Sequence, residues 1–354
     1  MTTFASDNWA GASDRVMAAL ALANEGTAPG YGADEWTARA RSLIADLFER
    51  DVTVFFVATG SAANSLALAA TSRPGGVVFC HADAHIARDE AGAPVLFAPQ
   101  IIDPVDGPGG RIDPDLLAAR VAAYLPGNVH DGRPAALSLT NVTELGQCYT
   151  PDEVARLAEI ARSRGMAVHV DGARFMNALA YLGVSAADLT WRSGVDVLSL
   201  GLTKTGGWCA EAVVLFDPSL AEDTAYRHKQ SAMLFSKNRF AAAQFCALLE
   251  GGHAAELAGH ANRMAARLAD RLAEAGAPPV MPPQSNEVFA FLTPNAAARL
   301  SEAGIGAYAW AARSRHLPAA PAPDAALHRF VASFRTTEAD IDAVATALGL
   351  PAAA

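Results

Sequence analysis

The stretch "VLSLGLTKTGG" at residues 197–207 reads as a buried strand that runs into a polar turn. The turn carries Lys204 between two threonines, and two glycines follow it. A lysine directly after an apolar strand is unusual, because charged side chains are rarely buried without a partner. The stretch therefore raises the question of whether Lys204 is a surface charge or a nucleophile.

The scarcity of lysine bears on this question. The chain has only three lysines, Lys204, Lys229 and Lys237, whereas arginine supplies the other 24 of its 27 basic residues. Because arginine supplies most of the basic residues, the few lysines are expected at positions whose function arginine cannot perform. An amine can lose its proton and attack a carbonyl, whereas a guanidinium stays protonated. This bias draws attention to all three lysines without choosing among them.

Apolar runs alternate with helical patterns on either side of the opening stretch. Helices are predicted at residues 61–72 and 151–165. Runs that are apolar on both faces and separated by helices predict an α/β fold with a mostly parallel central sheet. Binding sites in such sheets form beyond the carboxyl ends of the strands. The predicted strands are residues 52–59, 75–81, 135–141, 166–174, 195–202 and 211–217.

The pattern changes after the sixth strand. Residues 236–276 form a long helical stretch with a predicted break near Gly251 and Gly252. Strand-like runs at residues 287–293 and 327–334 alternate with short helices after it. We therefore predict a large domain over residues 1–245, including an N-terminal segment, and a smaller C-terminal α+β domain over residues 246–354.

Composition excludes several classes of function. The 354 residues carry a formal net charge of −10, which disfavours a nucleic-acid surface. No signal peptide and no apolar run of membrane-spanning length is evident. The four cysteines are scattered, as expected of a reduced, cytoplasmic protein. His81 and His85 are four residues apart but have no identifiable third ligand, so no metal is predicted.

Four features at predicted strand ends would serve one purpose together. Each has an ordinary explanation alone: a helix cap for Gly60-Ser61, a turn for Asp171, a structural histidine for His85 and a solvated charge for Lys204. Together they supply a phosphate cradle, a ring-stacking group, a carboxylate and an amine, which pyridoxal phosphate requires. Neither glycine-rich nucleotide motif is present, which disfavours a nucleotide-binding protein.

The sequence resembles the low-specificity L-threonine aldolases, which belong to the β-eliminating lyase group with the aspartate-aminotransferase-like fold. This resemblance implies fold type I of the pyridoxal-phosphate enzymes. It covers nearly the whole chain, and its markers are "SDN" (6–8), "YGADEWT" (31–37), "ATGSAANSLAL" (58–68), "AHIARDEAGAP" (84–94), "HVDGARFMNA" (169–178), "LGLTKTGGWCAEAVVLFD" (200–217), "FSKNRFAAAQF" (235–245) and "RFVASFRTTEADI" (329–341).

The resemblance implies roles at the cofactor. Lys204 would form the Schiff base with pyridoxal 5'-phosphate, Asp171 would pair with the pyridine nitrogen and His85 would stack on the ring; these three are the predicted catalytic residues. The predicted phosphate contacts are Gly60, Ser61, Thr203 and Lys237, with Lys229 as the alternative to Lys237 from a neighbouring subunit. The site is therefore predicted to lie in a homodimer or homotetramer with shared active sites.

The resemblance also implies a substrate site. Arg174 and Arg329 would hold the substrate carboxylate, with Arg335 as a rival to Arg329. Ser6 and Tyr31 match positions that line the active site. A further match, Glu90, lies near the stacking histidine.

One departure concerns the proton-accepting group. Many members of the family carry N-T-H-N, where this chain has "NVTE" at residues 141–144, with Thr143 in the histidine's place. His85 is therefore the predicted base that receives the β-hydroxyl proton.

The implied reaction cleaves the Cα–Cβ bond of L-threonine, L-allo-threonine and related β-hydroxy-α-amino acids to glycine and an aldehyde. The alternatives on the same scaffold are a phenylserine-type aldolase, a β-eliminating lyase and an aminotransferase. A noncatalytic pyridoxal-phosphate-binding protein is a further alternative of a different class.

Overall fold

A computed structural model describes residues 2–311, 317, 320 and 323–350 of the chain. The strands of this part are β1 (Thr2–Thr3), β2 (Thr53–Val57), β3 (Gly76–His81), β4 (Ile101–Val105), β5 (Arg133–Thr140), β6 (Ala167–Gly172), β7 (Val197–Gly201), β8 (Glu211–Leu215), β9 (Glu287–Leu292), β10 (Ile305–Gly306), β11 (Tyr308–Ala309) and β12 (Ala326–Val331).

The central sheet has seven strands in the order β2-β8-β7-β6-β5-β3-β4. Neighbouring strands from β7 to β4 are parallel, whereas β8 is antiparallel to both of its neighbours. The predicted, mostly parallel sheet is therefore confirmed. Because β8 runs the other way, its first residue, Glu211, reaches the edge where the parallel strands end.

The six predicted strands of this sheet are confirmed with small shifts at their ends. Strand β4 is an addition that the sequence analysis missed. It lies at the edge of the sheet, contains Pro104 and has alternately exposed residues. A short edge strand with a proline gives a weak sequence signal, because proline cannot donate to the ladder.

The α-helices of the described residues pack around these strands. The predicted break in the long helical stretch is confirmed, because Gly251 and Gly252 adopt φ angles of 65° and 74° that favour glycine. The helices are α1 (Asp14–Ala23), α2 (Glu35–Leu47), α3 (Gly60–Ala70), α4 (His85–Arg88), α5 (Ala93–Phe97), α6 (Pro114–Ala122), α7 (Pro151–Ser163), α8 (Phe175–Leu182), α9 (Ala221–Gln230), α10 (Arg239–Leu249), α11 (His253–Glu274), α12 (Pro294–Glu302) and α13 (Glu338–Ala347).

A second, smaller sheet forms in the C-terminal part, with the antiparallel order β11-β12-β9. Its apolar cluster joins α11, β9, β12 and α13, and Phe4 from the N-terminus also packs into it. Strand β1 likewise pairs with β10. The N-terminal segment thus packs with the C-terminal part, while the division of the chain at residue 245 stays a prediction.

Among the helices in the described ranges, none combines the length and the apolar character needed to cross a bilayer.

Candidate active site

A cavity of about 340 Å³ opens at the edge where the parallel strands of the central sheet end. It collects predicted residues from several strand ends together with residues that the sequence analysis did not single out. Its lining consists of Asn8, Ala58, Thr59, Gly60, Ser61, Asn64, His85, Glu90, Thr140, Val142, Glu144, Asp171, Ala173, Arg174, Thr203, Lys204, Trp208 and Glu211.

Lys204 reaches this cavity from the turn after β7, whose five residues are all buried. The turn closes through the amide of Gly207, which donates to the carbonyl of Leu202 at 3.0 Å. Gly206 has a φ of 100°, and a Cβ there would lie 2.8 Å from Leu257, so this position requires glycine. The tight turn thus fixes the position of the Lys204 backbone at the edge of the cavity.

Asp171 lies on β6, beside Ser199 of β7 in the register of the sheet, and is 5% exposed. Its Oδ2 accepts a hydrogen bond from Asn64 Nδ2 at 2.8 Å, and its Oδ1 accepts one from the amide of Ala173 at 3.0 Å. These two contacts fix the orientation of the carboxylate. A carboxylate accepts more than two hydrogen bonds, so Asp171 can still receive a ring N–H.

A chain of hydrogen bonds links Asp171 to His85. The amide nitrogen of Asn64 also donates to Glu90 Oε1 at 2.8 Å, and the same oxygen lies 2.8 Å from His85 Nδ1. The bond to Glu90 raises the pKa of His85, against the effect of burial. Asn64 was not predicted, although it lies within the quoted marker on α3; its inward direction depends on the packing of that helix.

Helix α3 begins at the cavity with Gly60 and Ser61. Thr59 caps it by accepting a hydrogen bond from the amide of Ala62 at 3.1 Å. A Cβ at Gly60 would meet no atom closer than Glu211 Oε2, at 3.9 Å, so the space before the helix is open. Free amides at a helix N-terminus favour an anion such as phosphate.

Glu211 is a buried carboxylate at the same end of the cavity, and the sequence analysis missed it. Burial raises its pKa to about 7, although hydrogen bonds from Thr203 and the charge of Lys204 act in the opposite direction. Gly201 leaves room for this side chain, because a Cβ at Gly201 would lie 2.9 Å from Glu211 Oε2. Only the antiparallel direction of β8 brings its first residue here.

Arg174 lines the cavity from the turn before α8 and is 6% exposed. Its Nε and Nη2 donate to Asp7 at 2.8 and 3.0 Å, and its Nη1 lies 3.3 Å from Glu287 Oε2. Burial disfavours the charge, but the two carboxylates outweigh it and raise the pKa of Arg174. A guanidinium has five N–H donors, so one remains on each terminal nitrogen for a substrate carboxylate.

Arg329, Arg335 and Ser6 lie outside this lining. The guanidinium of Arg329 lies 4.2 Å from the ring centroid of Trp310, and its Nη1 is 3.6 Å from Glu287 Oε1. Arg335 donates to the carbonyl of Ala12 and lines a separate small cavity together with Ser6. The structure therefore does not bring these three predicted residues to the cavity, although Arg329 shares Glu287 with Arg174.

The predicted residues Tyr31, Lys229 and Lys237 also lie elsewhere in the chain. Tyr31 is 58% exposed, and Lys229 Nζ is 5.0 Å from its ring centroid. Lys237 is exposed before α10. Within one chain these residues do not line the Lys204 cavity.

The segment after β5 presents Glu144, rather than Thr143, to the cavity. Thr143 is fully buried and donates to the carbonyl of Gly109 at 2.8 Å, whereas the next residue, Glu144, lines the cavity. Burial raises the pKa of Glu144 to about 7, against the positive charges of His85 and Lys204. The resemblance had aligned Thr143 with the histidine, and the path of the backbone decides which residue faces inward.

The fold is that of an α/β enzyme. One amine, several carboxylates and the N-terminus of α3 surround its cavity. Residues 3–295 match the family described as beta-eliminating lyase, and the chain belongs to this family.

Similar proteins agree with this assignment. The chain is 42% identical over 288 residues to a low specificity L-threonine aldolase of Pseudomonas aeruginosa, covering 81% of this chain and 83% of that protein. It is 40% identical over the same length to that of a Pseudomonas sp., with the same shares covered. A Leishmania major threonine aldolase structure superposes with a TM-score of 0.89 at 26% identity, covering 98% of each chain.

A more distant structure shows how widely this fold is shared. The serine palmitoyltransferase of Sphingomonas wittichii has a TM-score of 0.70 at 15% identity, covering 98% of this chain and 86% of that one. Both structural neighbours have fold type I, so the predicted fold class is confirmed.

Proposed function

We propose that this chain cleaves the Cα–Cβ bond of L-threonine, L-allo-threonine and related β-hydroxy-α-amino acids to glycine and an aldehyde. The observation that carries the proposal is that Lys204, Asp171, Arg174 and the start of α3 face one cavity. The 42% identity to a low specificity L-threonine aldolase supports the choice of reaction.

The cavity fits pyridoxal 5'-phosphate as the cofactor. The open space before Gly60 suits the phosphate, with Ser61 and Thr203 beside it, and Asp171 is held ready to accept a ring N–H. Lys204 supplies the amine for the aldehyde. When bound, the cofactor would supply an electron sink for the breaking bond.

The other residues orient the substrate and control its charge. Arg174 holds the substrate carboxylate through its two remaining N–H groups, which sets the direction of the Cα–Cβ bond. Its contact with Asp7 stops the guanidinium from turning. His85 would cover the ring of the cofactor, and Glu90 fixes the imidazole through Nδ1.

The test is an assay of glycine and aldehyde release from L-threonine, L-allo-threonine, D-threonine and L-phenylserine. We expect glycine from the two L-threonine isomers, and no turnover with Lys204→Ala. Lys204→Arg is the matched control, because it keeps the charge but removes the nucleophilic amine. Both variants should also lack the visible absorbance of lysine-bound cofactor. Glycine release by Lys204→Ala would contradict the assignment of the nucleophile.

The same assay separates the alternatives. Exclusive turnover of L-phenylserine would indicate a phenylserine-type aldolase. Release of ammonia and a 2-oxo acid would indicate a β-eliminating lyase, and amino-group transfer to an added 2-oxo acid would indicate an aminotransferase. Cofactor absorbance without turnover of any of these compounds would indicate a noncatalytic binding protein.

We also propose a homodimer or homotetramer in the cytoplasm. The exposed pair Tyr31 and Lys229, together with Lys237, would then serve the cavity of a neighbouring subunit. The free thiol state of all four cysteines supports a reducing compartment. Mixed oligomers of Lys204→Ala and Tyr31→Ala test the shared site, because they should regain activity that neither variant has alone. A fully active monomer in light scattering would contradict it.

A further inference from the structure

Within the part of the chain that the structure describes, one carboxylate of the cavity has neither a hydrogen-bond nor a salt-bridge partner. Glu144 is half-buried and lines the cavity with His85 and Lys204. Among the described residues, no hydrogen bond or salt bridge engages its side chain, and neighbouring groups act on it only through burial and charge. A carboxylate in this state is available to accept a proton from a ligand.

Two other glutamates of the cavity are already engaged. Glu90 Oε1 accepts from Asn64 and contacts His85 Nδ1, each at 2.8 Å. Glu211 accepts hydrogen bonds from Thr203 at the phosphate end. Glu144 differs from both because it lines the cavity and has no hydrogen-bond donor among the described residues.

His85 already has one of its two ring nitrogens engaged, because Nδ1 lies 2.8 Å from Glu90 Oε1. Its hydrogen bond to Glu90 raises its pKa, which favours the imidazolium form. An imidazolium has N–H donors on both nitrogens and no acceptor. In that form His85 would donate to a substrate oxygen or to Glu144 rather than remove a proton.

Glu144, by contrast, has the basicity that the step needs. Burial raises its pKa to about 7, although the charges of His85 and Lys204 act against this. General bases work best when their pKa lies near the working pH, because they are then both ionised and strong enough. A glutamate with its ordinary pKa would be a weaker base.

On the basis of the proposed function, we propose that Glu144 is the catalytic base that removes the proton from the β-hydroxyl of the substrate. This assignment replaces the sequence-based prediction, which gave the role to His85. It also gives the cavity a base although Thr143, which aligns with the family histidine, faces away from it.

The step is balanced without a further reactant. A carboxylate oxygen of Glu144 binds the hydroxyl proton, and the electron pair of the O–H bond forms the C=O bond of the aldehyde. The Cα–Cβ bond breaks, and its electron pair stays with Cα until that carbon receives a proton from the Lys204 ammonium group. Glu144 then releases its proton to water and Lys204 takes one up from water, which restores both groups.

The experiment compares two reactions of the holoenzyme. Cleavage of L-threonine needs a base at the β-hydroxyl, whereas exchange of the glycine α-proton in D₂O does not, since glycine has no hydroxyl. We expect Glu144→Gln to lower kcat for cleavage by about a hundredfold or more. Glycine exchange, followed by NMR, should change less than about threefold, because it removes no hydroxyl proton.

Matched variants and a pH profile complete the test. Glu159→Gln, an exposed position on α7 outside the cavity, should leave both reactions unchanged. The wild-type profile for kcat should rise through a limb near pH 7 that Glu144→Gln lacks and Glu144→Asp partly restores.

The outcomes distinguish this inference from the proposed function. If the wild type cleaves the substrate and kcat of Glu144→Gln stays within about threefold of the wild-type kcat, the role of Glu144 is overturned. The proposed function would stand in that case. An equal loss of cleavage and glycine exchange would also overturn it, because the residue would then act on the whole site. Failure of the wild type to cleave any β-hydroxy amino acid would overturn the proposed function together with this inference.

Discussion

Arg174 is bound side-on by Asp7, with Nε to Oδ2 at 2.8 Å and Nη2 to Oδ1 at 3.0 Å. The pair joins the N-terminal segment to the turn before α8, and both side chains are buried. Burial would raise the pKa of Asp7, but the charges of Arg174 and Lys204 outweigh it and lower that pKa to about 2. The contact therefore connects the N-terminal segment to the cavity that Lys204 lines.

Asp7→Asn should weaken both stability and substrate binding. Breaking a buried ion pair costs about 3 kcal/mol, because the remaining charge loses its partner. A less firmly held Arg174 should raise KM for the amino acid about tenfold, or about 1.4 kcal/mol. Urea unfolding and steady-state kinetics measure the two effects. An unchanged KM would show that Arg174 needs no support from Asp7.

The same pair predicts an acid-sensitive part of the stability. The pKa of Asp7 is lower in the folded chain than its ordinary value of 3.8, so its contribution is complete above about pH 5. The contribution should be lost as the pH falls towards 2. Each tenfold difference in acid strength between the folded and unfolded chain corresponds to about 1.4 kcal/mol of stability. Unfolding curves across this range should show a smaller loss for Asp7→Asn than for the wild type.

Gly60→Ala should separate cofactor binding from folding. The nearest atom to an added Cβ lies 3.9 Å away, so the apoprotein should keep its unfolding free energy within about 1 kcal/mol. The methyl group would fill space that the phosphate needs, and cofactor affinity should fall at least about tenfold. Fluorescence titration of the apoprotein measures the affinity. Equal affinity would place the phosphate elsewhere.

Substitutions of His85 should separate the effect of its aromatic ring on cofactor affinity from the effect of its positive charge on the pH profile. His85→Phe keeps an aromatic face and should retain cofactor affinity, whereas His85→Asn should lose about fivefold to tenfold, the worth of one aromatic contact. The positive charge of His85 lowers the pKa of Glu144, so both variants should move the kcat limb to higher pH. A limb that stays in place would show that His85 carries no charge during turnover.

The sequence predicted the parts of the fold and site that depend on local pattern. The apolar strand before Lys204, the helix start at Gly60 and the break at Gly251 follow from periodicity and glycine placement. Lys204 and Asp171 could be placed at one edge because parallel strands end together.

Residues whose role depends on packing between distant elements could not be predicted in this way. Glu211 is at the site only because β8 is antiparallel, and Asn64 only because α3 turns one face towards β6. Glu144 rather than Thr143 faces the cavity through the path of a loop. Tyr31, Lys229 and Lys237 lie on the surface of a single chain, so their predicted roles depend on assembly.

We expect Glu211 to couple the loading of the cofactor to the uptake of a proton. Its carboxylate lies at the end of the cavity where the phosphate dianion would enter, and burial raises its pKa to about 7. Two anions side by side repel each other, so a phosphate should bind best when Glu211 is protonated. Loading should therefore take up a proton from solution, and affinity should fall as the pH rises above 7. Glu211→Gln should remove this dependence, which calorimetric titration in buffers of different ionisation enthalpy can measure. The wild-type protein should therefore retain its cofactor least firmly in alkaline solution.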